Sequence, residues 1–369
     1  MRSDSSIAVR LFFILALAVL AVATASAQSV QQAVVSFDAL VRNYNLVSFG
    51  NATFGSGYGD THGPLAVQGN LSLSGGSIAA QSGTFGVTSD PTLYVGGSLT
   101  LTGGTTYLSS GYASLNSGLS GSWDGTQRQL TTGGGTLSSI NSNAALAAAD
   151  PRTNPAPSGW NWSSLQSQAT QISSSLAAAT ATGSVQINGQ TLSFVAPQNA
   201  SGVVVFNFDA SLLSGNTYNG QMFTNVSFSV PTDDLFVINV TNITSGQTLL
   251  GTSGGINFNQ GTGYERLLWN ILPSAGPTTS VSLGNGGQFF GSVLAPLVDL
   301  GNTNNTAVNG QIVAASYTHS GAELHYTGFD ASGITFSAVP EPSTYALAAL
   351  GLCVVGAIWH RRRGAAPRS

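Results

Sequence analysis

The chain has no lysine, a single cysteine and few charges of either sign. Ten arginines stand against fourteen acids in 369 residues, so 7 % of the chain is charged, where a soluble domain usually carries about 25 %. Without lysine there is no Walker lysine, no Schiff base and no lysine isopeptide crosslink. The one cysteine, Cys353, sits in an apolar stretch near the C-terminus. The rest of the chain therefore has no disulfide, no thiol nucleophile and no thiolate metal site. Between residues 28 and 338 only Arg42, Arg128, Arg152 and Arg266 oppose twelve acids, and an acidic surface of that kind excludes nucleic acid as a main partner. What the chain has in quantity is 46 glycines, many Ser, Thr and Asn, and 42 % hydrophobic residues with 17 Phe. That combination predicts a packed, β-rich fold whose stability comes from core size and backbone pairing.

Both ends read as addresses. Arg2 and Arg10 precede the apolar run Leu11 to Ala23, and Ala25-Ser26-Ala27 supplies the small-x-small pattern before Gln28. Residues 1–27 are expected to be a signal peptide removed by signal peptidase, because the run is shorter than the roughly 20 residues that span a bilayer. At the other end, Val339, Pro340, Glu341 and Pro342 lead, through Ser343, into the apolar stretch Tyr345 to Trp359 and the stop Arg361, Arg362 and Arg363. Prolines hold a chain extended for a protease, and arginines stay on the cytoplasmic side. The order of these three elements resembles the PEP-CTERM sorting signal over residues 339–369: motif 339–343, transmembrane segment 345–359, arginine-rich tail 360–369. The resemblance implies transient insertion in the inner membrane and processing by an exosortase, with delivery to the cell surface or extracellular matrix.

Between the ends, residues 28–338 form the expected ectodomain. From Gly63 onward, short alternations such as Leu71-Ser72-Leu73 and Leu99-Thr100-Leu101 are separated by Gly-Gly pairs. Strands of three to five residues with period 2, turning at glycines, predict a mainly β fold, a β-solenoid (β-helix-like), with a β-sandwich as the alternative because the repeat lengths are irregular. One or two packed helices are expected inside it: Leu137 to Ala149, stopped by Asp150-Pro151, and a second from near Trp160 with Leu165, Ala169, Ile172, Leu176 and Ala179 on one face.

Four motifs in order carry a further resemblance: Tyr44 to Asn51 with Gly63 to Asn70; Tyr94 to Leu99; Leu268-Trp269-Asn270 with Gly291 to Pro296; and Asn309 to Ala314 with Gly321 to His325. They resemble the choice-of-anchor A family of bacterial surface proteins. The resemblance implies one ectodomain found with different anchors and an adhesive role, and it brings no catalytic set.

The chemistry on offer is thin. Glu323 and His325 would share one side of a strand, with His319 six residues before His325, so a carboxylate and an imidazole could share a proton or a metal. No third ligand is evident, and a structural hydrogen bond is the favoured reading; Asp60 with His62 is a weaker candidate. Adjacent Asp233 and Asp234 would point to opposite faces and are expected in an exposed turn after Pro231. No calcium repeat and no nucleophile elbow occurs. Trp123, Trp160, Trp162 and Trp269 could stack on sugars, though core packing has the first claim on them. Ser98-Leu99-Thr100-Leu101-Thr102 and Thr105-Thr106 hint at a flat Thr-rich face, but one patch is too little for ice recognition. Catalytic, cofactor and metal residues are therefore expected to be none. The expected protein binds extracellular polysaccharide or another surface protein; a polysaccharide-binding or polysaccharide-degrading enzyme is the alternative.

Overall fold

Leu46–Ser48, Ala52–Phe54 and Asp60–Thr61 are three short strands in succession, and the chain then repeats the pattern. Leu65–Val67, Leu71–Leu73 and Ser77–Ile78 follow, then Leu93–Val95, Leu99–Leu101 and Thr105–Leu108, and finally Ala113–Leu115 with Gly135–Ser138. Each circuit lies on the one before in parallel and in register, Leu46 beside Leu65 beside Leu93 beside Ala113. The computed structural model describes residues 30–334 except 43, 58, 82–89, 140–144, 199–201, 230–233, 251–256, 260–262, 274–278, 285–286 and 303–304. Residues 33–334 form one compact unit, and nearly all of the second unit lies outside the described residues.

The successive strands make three ladders. The first runs from Ala113–Leu115 through Leu46–Ser48 to Ile312–His319, Ser292–Asn302, Leu267–Pro273, Leu235–Ile243 and Val203–Asp209. The second contains Leu99–Leu101, Leu71–Leu73, Ala52–Phe54, the far halves of Ile312–His319 and Ser292–Asn302, then Thr279–Leu283 and Gln247–Leu249. The third joins Gly135–Ser138, Thr105–Leu108, Ser77–Ile78, Asp60–Thr61, Leu324–His325, Ala307–Asn309 and Gln288–Phe290. Buried residues of all three belong to one apolar cluster, including Leu46, Phe54, Ile78, Trp269, Phe289 and Leu324. Among the described residues this is a mainly β protein of parallel sheets with two α-helices, and a sandwich of antiparallel strands does not describe it.

The chain does not stack in sequence order. The last circuit, Ile312–His319 with Leu324–His325, pairs directly with the first. Two buried amides stitch this seam. Asn45 Nδ2 donates to Gly310 O at 2.7 Å while its Oδ1 accepts from Gly63 N; Gln311 Nε2 donates to Tyr44 O at 2.8 Å while its Oε1 accepts from Phe329 N. Each satisfies backbone groups that the change of direction would strand.

Glycine is needed at the corners for two reasons. At Gly97 a Cβ would stand 2.5 Å from Gly69 O of the adjacent circuit, so the need there is close approach. At Gly75 and Gly76 it is a positive φ, 79° and 76°.

The helix α1 covers residues 30–41 and buries Phe37 edge-on to Phe329. Helix α2, Trp162–Ala177, starts at Asn161, whose side chain accepts from Ser164 N, and buries Ala169, Ile172 and Leu176 as the 3–4 spacing predicts. The described residues of the other expected helix, Leu137 to Ala149, form no α-helix, and residues 140–144 lie outside them. Leu137 belongs to strand Gly135–Ser138 and pairs with Leu130 across a hairpin turned at Gly133-Gly134; only Ala145–Ala148 forms a 3₁₀ turn. Pairing in the core outweighs the modest helix propensity of an uncapped Ala-rich segment.

Candidate functional site

The first ladder is covered over most of its outward side, with Asn207 exposed at its far edge. Its outward residues include Val47, Ala66, Leu294 and Val313, all at 1 % exposure or less. Over Asn239 and Asn270 lies α2: Asn270 Nδ2 donates to Ser173 O at 2.9 Å, Ser173 Oγ donates to Asn270 Oδ1 at 2.6 Å, and Asn239 Nδ2 donates to Leu176 O at 2.8 Å.

The second ladder is different. Its inward residues are mainly Leu, Val, Phe and Tyr, with Ala52, Asn302 and His319, while the alternate positions form one column in register: Thr248, Ser282, Gly301, Thr318, Thr53, Ser72 and Thr100. Every member is half-buried or exposed. Strand spacing of about 4.8 Å makes this a line of small hydroxyl-bearing residues roughly 29 Å long, interrupted only by a glycine. A shorter second column places Ser280, Asp299 and Ser316 side by side, and Ser316 Oγ donates to Asp299 Oδ1 at 2.6 Å. Along the margin, Asn51 Oδ1 accepts from Asn70 N and Asn70 Oδ1 accepts from Ser98 N at 2.8 and 2.9 Å, which fixes the register of three circuits. The Thr-rich patch near Thr100 is thus one end of a surface assembled from both halves of the chain.

The polar candidates lie on the third ladder. His325 Nε2 is 2.8 Å from Glu323 Oε2, as a shared strand side requires. Glu323 also meets His62 Nε2 at 3.3 Å, and the rings of His62 and His325 stack at 4.4 Å. Hydrogen bonding to His325 holds the Glu323 carboxyl below its usual range; burial and the neighbouring His325 lower His62. Among the described residues these three form the cluster that could hold a metal. His62 was the weaker candidate in the sequence, because only the seam brings it to Glu323. Its expected partner Asp60 instead accepts from Ser77 N. His319 stands apart: it is fully buried, with Nε2 2.9 Å from Ala322 O and Nδ1 3.0 Å from the Tyr317 hydroxyl.

Of the remaining candidates, Trp269 is fully buried and donates to Phe290 O at 2.9 Å. Trp162 stacks on Tyr94 at 5.5 Å, Trp160 packs edge-on to Trp162, and half-buried Trp123 packs against the core. Asp234 is not in an exposed turn: it is buried and accepts from Gly202 N at 2.8 Å, while Pro231 and Asp233 lie outside the described residues. The signal peptide, the sorting motif Val339 to Pro342, residues 345–359 and the arginine stop are outside them too. Among the described residues no helix is long and apolar enough to cross a membrane.

A parallel-stranded β domain with an open hydroxyl face defines the class, and the comparisons give its family. Residues 37–326 match the family described as "Putative Ice-binding-like adhesive domain", and the chain belongs to that family. Residues 338–363 match the PEP-CTERM protein-sorting motif, which marks a secreted protein processed by an exosortase. No curated protein matches the chain. Similar solved structures include a glycosylated ice-binding protein from an Arctic yeast (10 % identity, 82 % of this chain and 95 % of that one, TM-score 0.34). Others are an ice-binding protein from the Antarctic ascomycete Antarctomyces psychrotrophicus (12 %, 79 % and 97 %, TM-score 0.27) and the DUF3494 domain of a Shewanella frigidimarina ice-binding protein (13 %, 79 % and 95 %, TM-score 0.27).

Proposed function

We propose that the chain is an adhesive protein of the bacterial surface or extracellular matrix, a β-solenoid whose second ladder is the contact face. The reading includes removal of residues 1–27, an ectodomain over residues 28–338, and a tail from 339 that exosortase processes after transient membrane insertion. This is the arrangement of the choice-of-anchor A proteins. One observation carries the reading: an adhesive-family domain at 37–326 directly followed by a sorting motif at 338–363. The partner is a hydroxyl-rich extracellular polysaccharide. A flat line of Thr and Ser offers donors and acceptors at a fixed repeat and loses little side-chain entropy on contact. Binding, rather than hydrolysis, is what such a face can do.

Ice is a second reading. The column runs through seven strands of the second ladder, where the sequence alone showed a single patch, and the family name carries the same suggestion.

The test incubates the protein with the producing organism's polysaccharide and, separately, with growing ice, following cosedimentation, release of reducing ends and partition into ice. Binding without new ends supports the adhesive reading, and partition into ice selects the second. New reducing ends overturn both in favour of an enzyme. Deleting residues 339–369 should abolish retention at the surface, and unchanged retention would sink the anchoring claim.

A further inference from the structure

We propose that His62, Glu323 and His325 form a divalent-cation site suited to Zn²⁺, and that the ion clips the first circuit of the stack to the last. The site lies on the third ladder and does not depend on the adhesive reading.

The seam creates it. Thr61 pairs with Leu324, and His62 N donates to Leu324 O at 2.8 Å, so the next step along both strands puts His62 beside His325. Their rings stack at 4.4 Å, close to the strand spacing, and both Nε2 atoms face the same Glu323 oxygen. Residues 62 and 323 are brought together only by this pairing of chain ends.

With a single proton on the His325 ring, the hydrogen-bond directions conflict. Asn309 Nδ2 donates to Phe289 O at 3.2 Å, which makes Oδ1 the atom 2.8 Å from His325 Nδ1. An amide oxygen only accepts, so the hydrogen of His325 is on Nδ1. Its Nε2 lone pair is left 2.8 Å from a carboxylate oxygen, acceptor against acceptor. A metal ion between them resolves this, with Asn309 as the orienting partner that ligating histidines usually have. The donor set, two imidazoles and one carboxylate without thiolate, suits Zn²⁺. Metal–ligand bonds of about 2.0–2.1 Å in a tetrahedron set ligand atoms about 3.3 Å apart. His62 to Glu323 already spans 3.3 Å, and His325 to Glu323 must open by about 0.5 Å from 2.8 Å. Glu323 is 44 % exposed along its side chain, so water can reach the site as a further ligand. The competing resolution is a second proton on His325, an imidazolium paired with Glu323.

Calorimetric titration of Zn²⁺ into the metal-stripped full chain in detergent, with melting followed by circular dichroism, separates the two. One equivalent should bind, and at about 100-fold excess over Kd the melting temperature should rise by about 5 °C. His62→Ala and His325→Ala should each weaken binding at least tenfold. Glu323→Gln keeps the shape and the seam but removes the charge, so it should weaken binding while leaving the metal-free melting temperature near that of the parent. Absence of stoichiometric uptake at about 100 µM Zn²⁺, a concentration that would fill even a micromolar site, or uptake that all three variants retain, would overturn the proposal in favour of the imidazolium pair.

Discussion

The same two strands, Ser292–Asn302 and Ile312–His319, lie half in the first ladder and half in the second, and their two halves present opposite surfaces. In the first half the outward residues are Leu294 and Val313, fully buried; in the second they are half-buried Gly301 and exposed Thr318. The pairing register breaks between Ala295 and Asp299, where one surface gives way to the other. Backbone pairing is alike on both sides, so side-chain choice alone decides which face takes a covering helix and which stays free. On the covered face a polar group must be matched atom by atom, as at Asn239 and Asn270. On the open face water matches it.

That difference predicts a graded series of effects. Trp269 lies on the first ladder, packs against Phe194 and Phe289, and is fully buried. Trp269→Ala should cost about 3–5 kcal/mol in urea unfolding, the largest single effect expected. Asn270→Ala leaves the buried Ser173 hydroxyl and Asn239 Oδ1 without their Asn270 partners and should cost about 1–3 kcal/mol. An effect under about 0.5 kcal/mol would mean that α2 is held by its apolar stripe alone.

How far the sequence revealed these faces follows from how local their causes are. The helix stripe Ala169, Ile172 and Leu176 repeats within one segment and was legible, as were the strands with period 2. The strand at Leu137 was not, because its partners are Leu130 and the core rather than its Ala-rich neighbours. The hydroxyl column was visible only as the patch near Thr100. Its other members sit in circuits up to about 200 residues away, and pairing the last circuit with the first follows from no local pattern. His62 escaped notice as the partner of Glu323 for the same reason.

His319 gives a pH signature on the inner side of the open face. Its Nε2 faces the Ala322 carbonyl, which only accepts, so Nε2 carries the hydrogen and Nδ1 accepts from the Tyr317 hydroxyl. Burial holds this imidazole below its ordinary value of 6.5. The unfolded chain therefore takes up the proton first, and stability falls as pH drops below about 6.5 toward the lower folded value. Urea midpoints at pH 7.5 and 5.5 should differ more for the parent than for His319→Gln. Equal differences would assign the loss to other groups.

The smallest effect on stability should accompany the largest effect on adhesion. Thr53 and Thr318 are exposed neighbours at the centre of the column, and their side chains point away from the core. Replacing both with Tyr should change unfolding free energy by no more than about 0.5 kcal/mol, since no buried contact is lost. The bulky rings would nevertheless lift any flat partner off the remaining hydroxyls, and binding should fall at least tenfold. The same pair of changes distinguishes the faces: if adhesion survives while the fold is intact, the contact surface is elsewhere, and the contrast between covered and open faces concerns solubility rather than recognition.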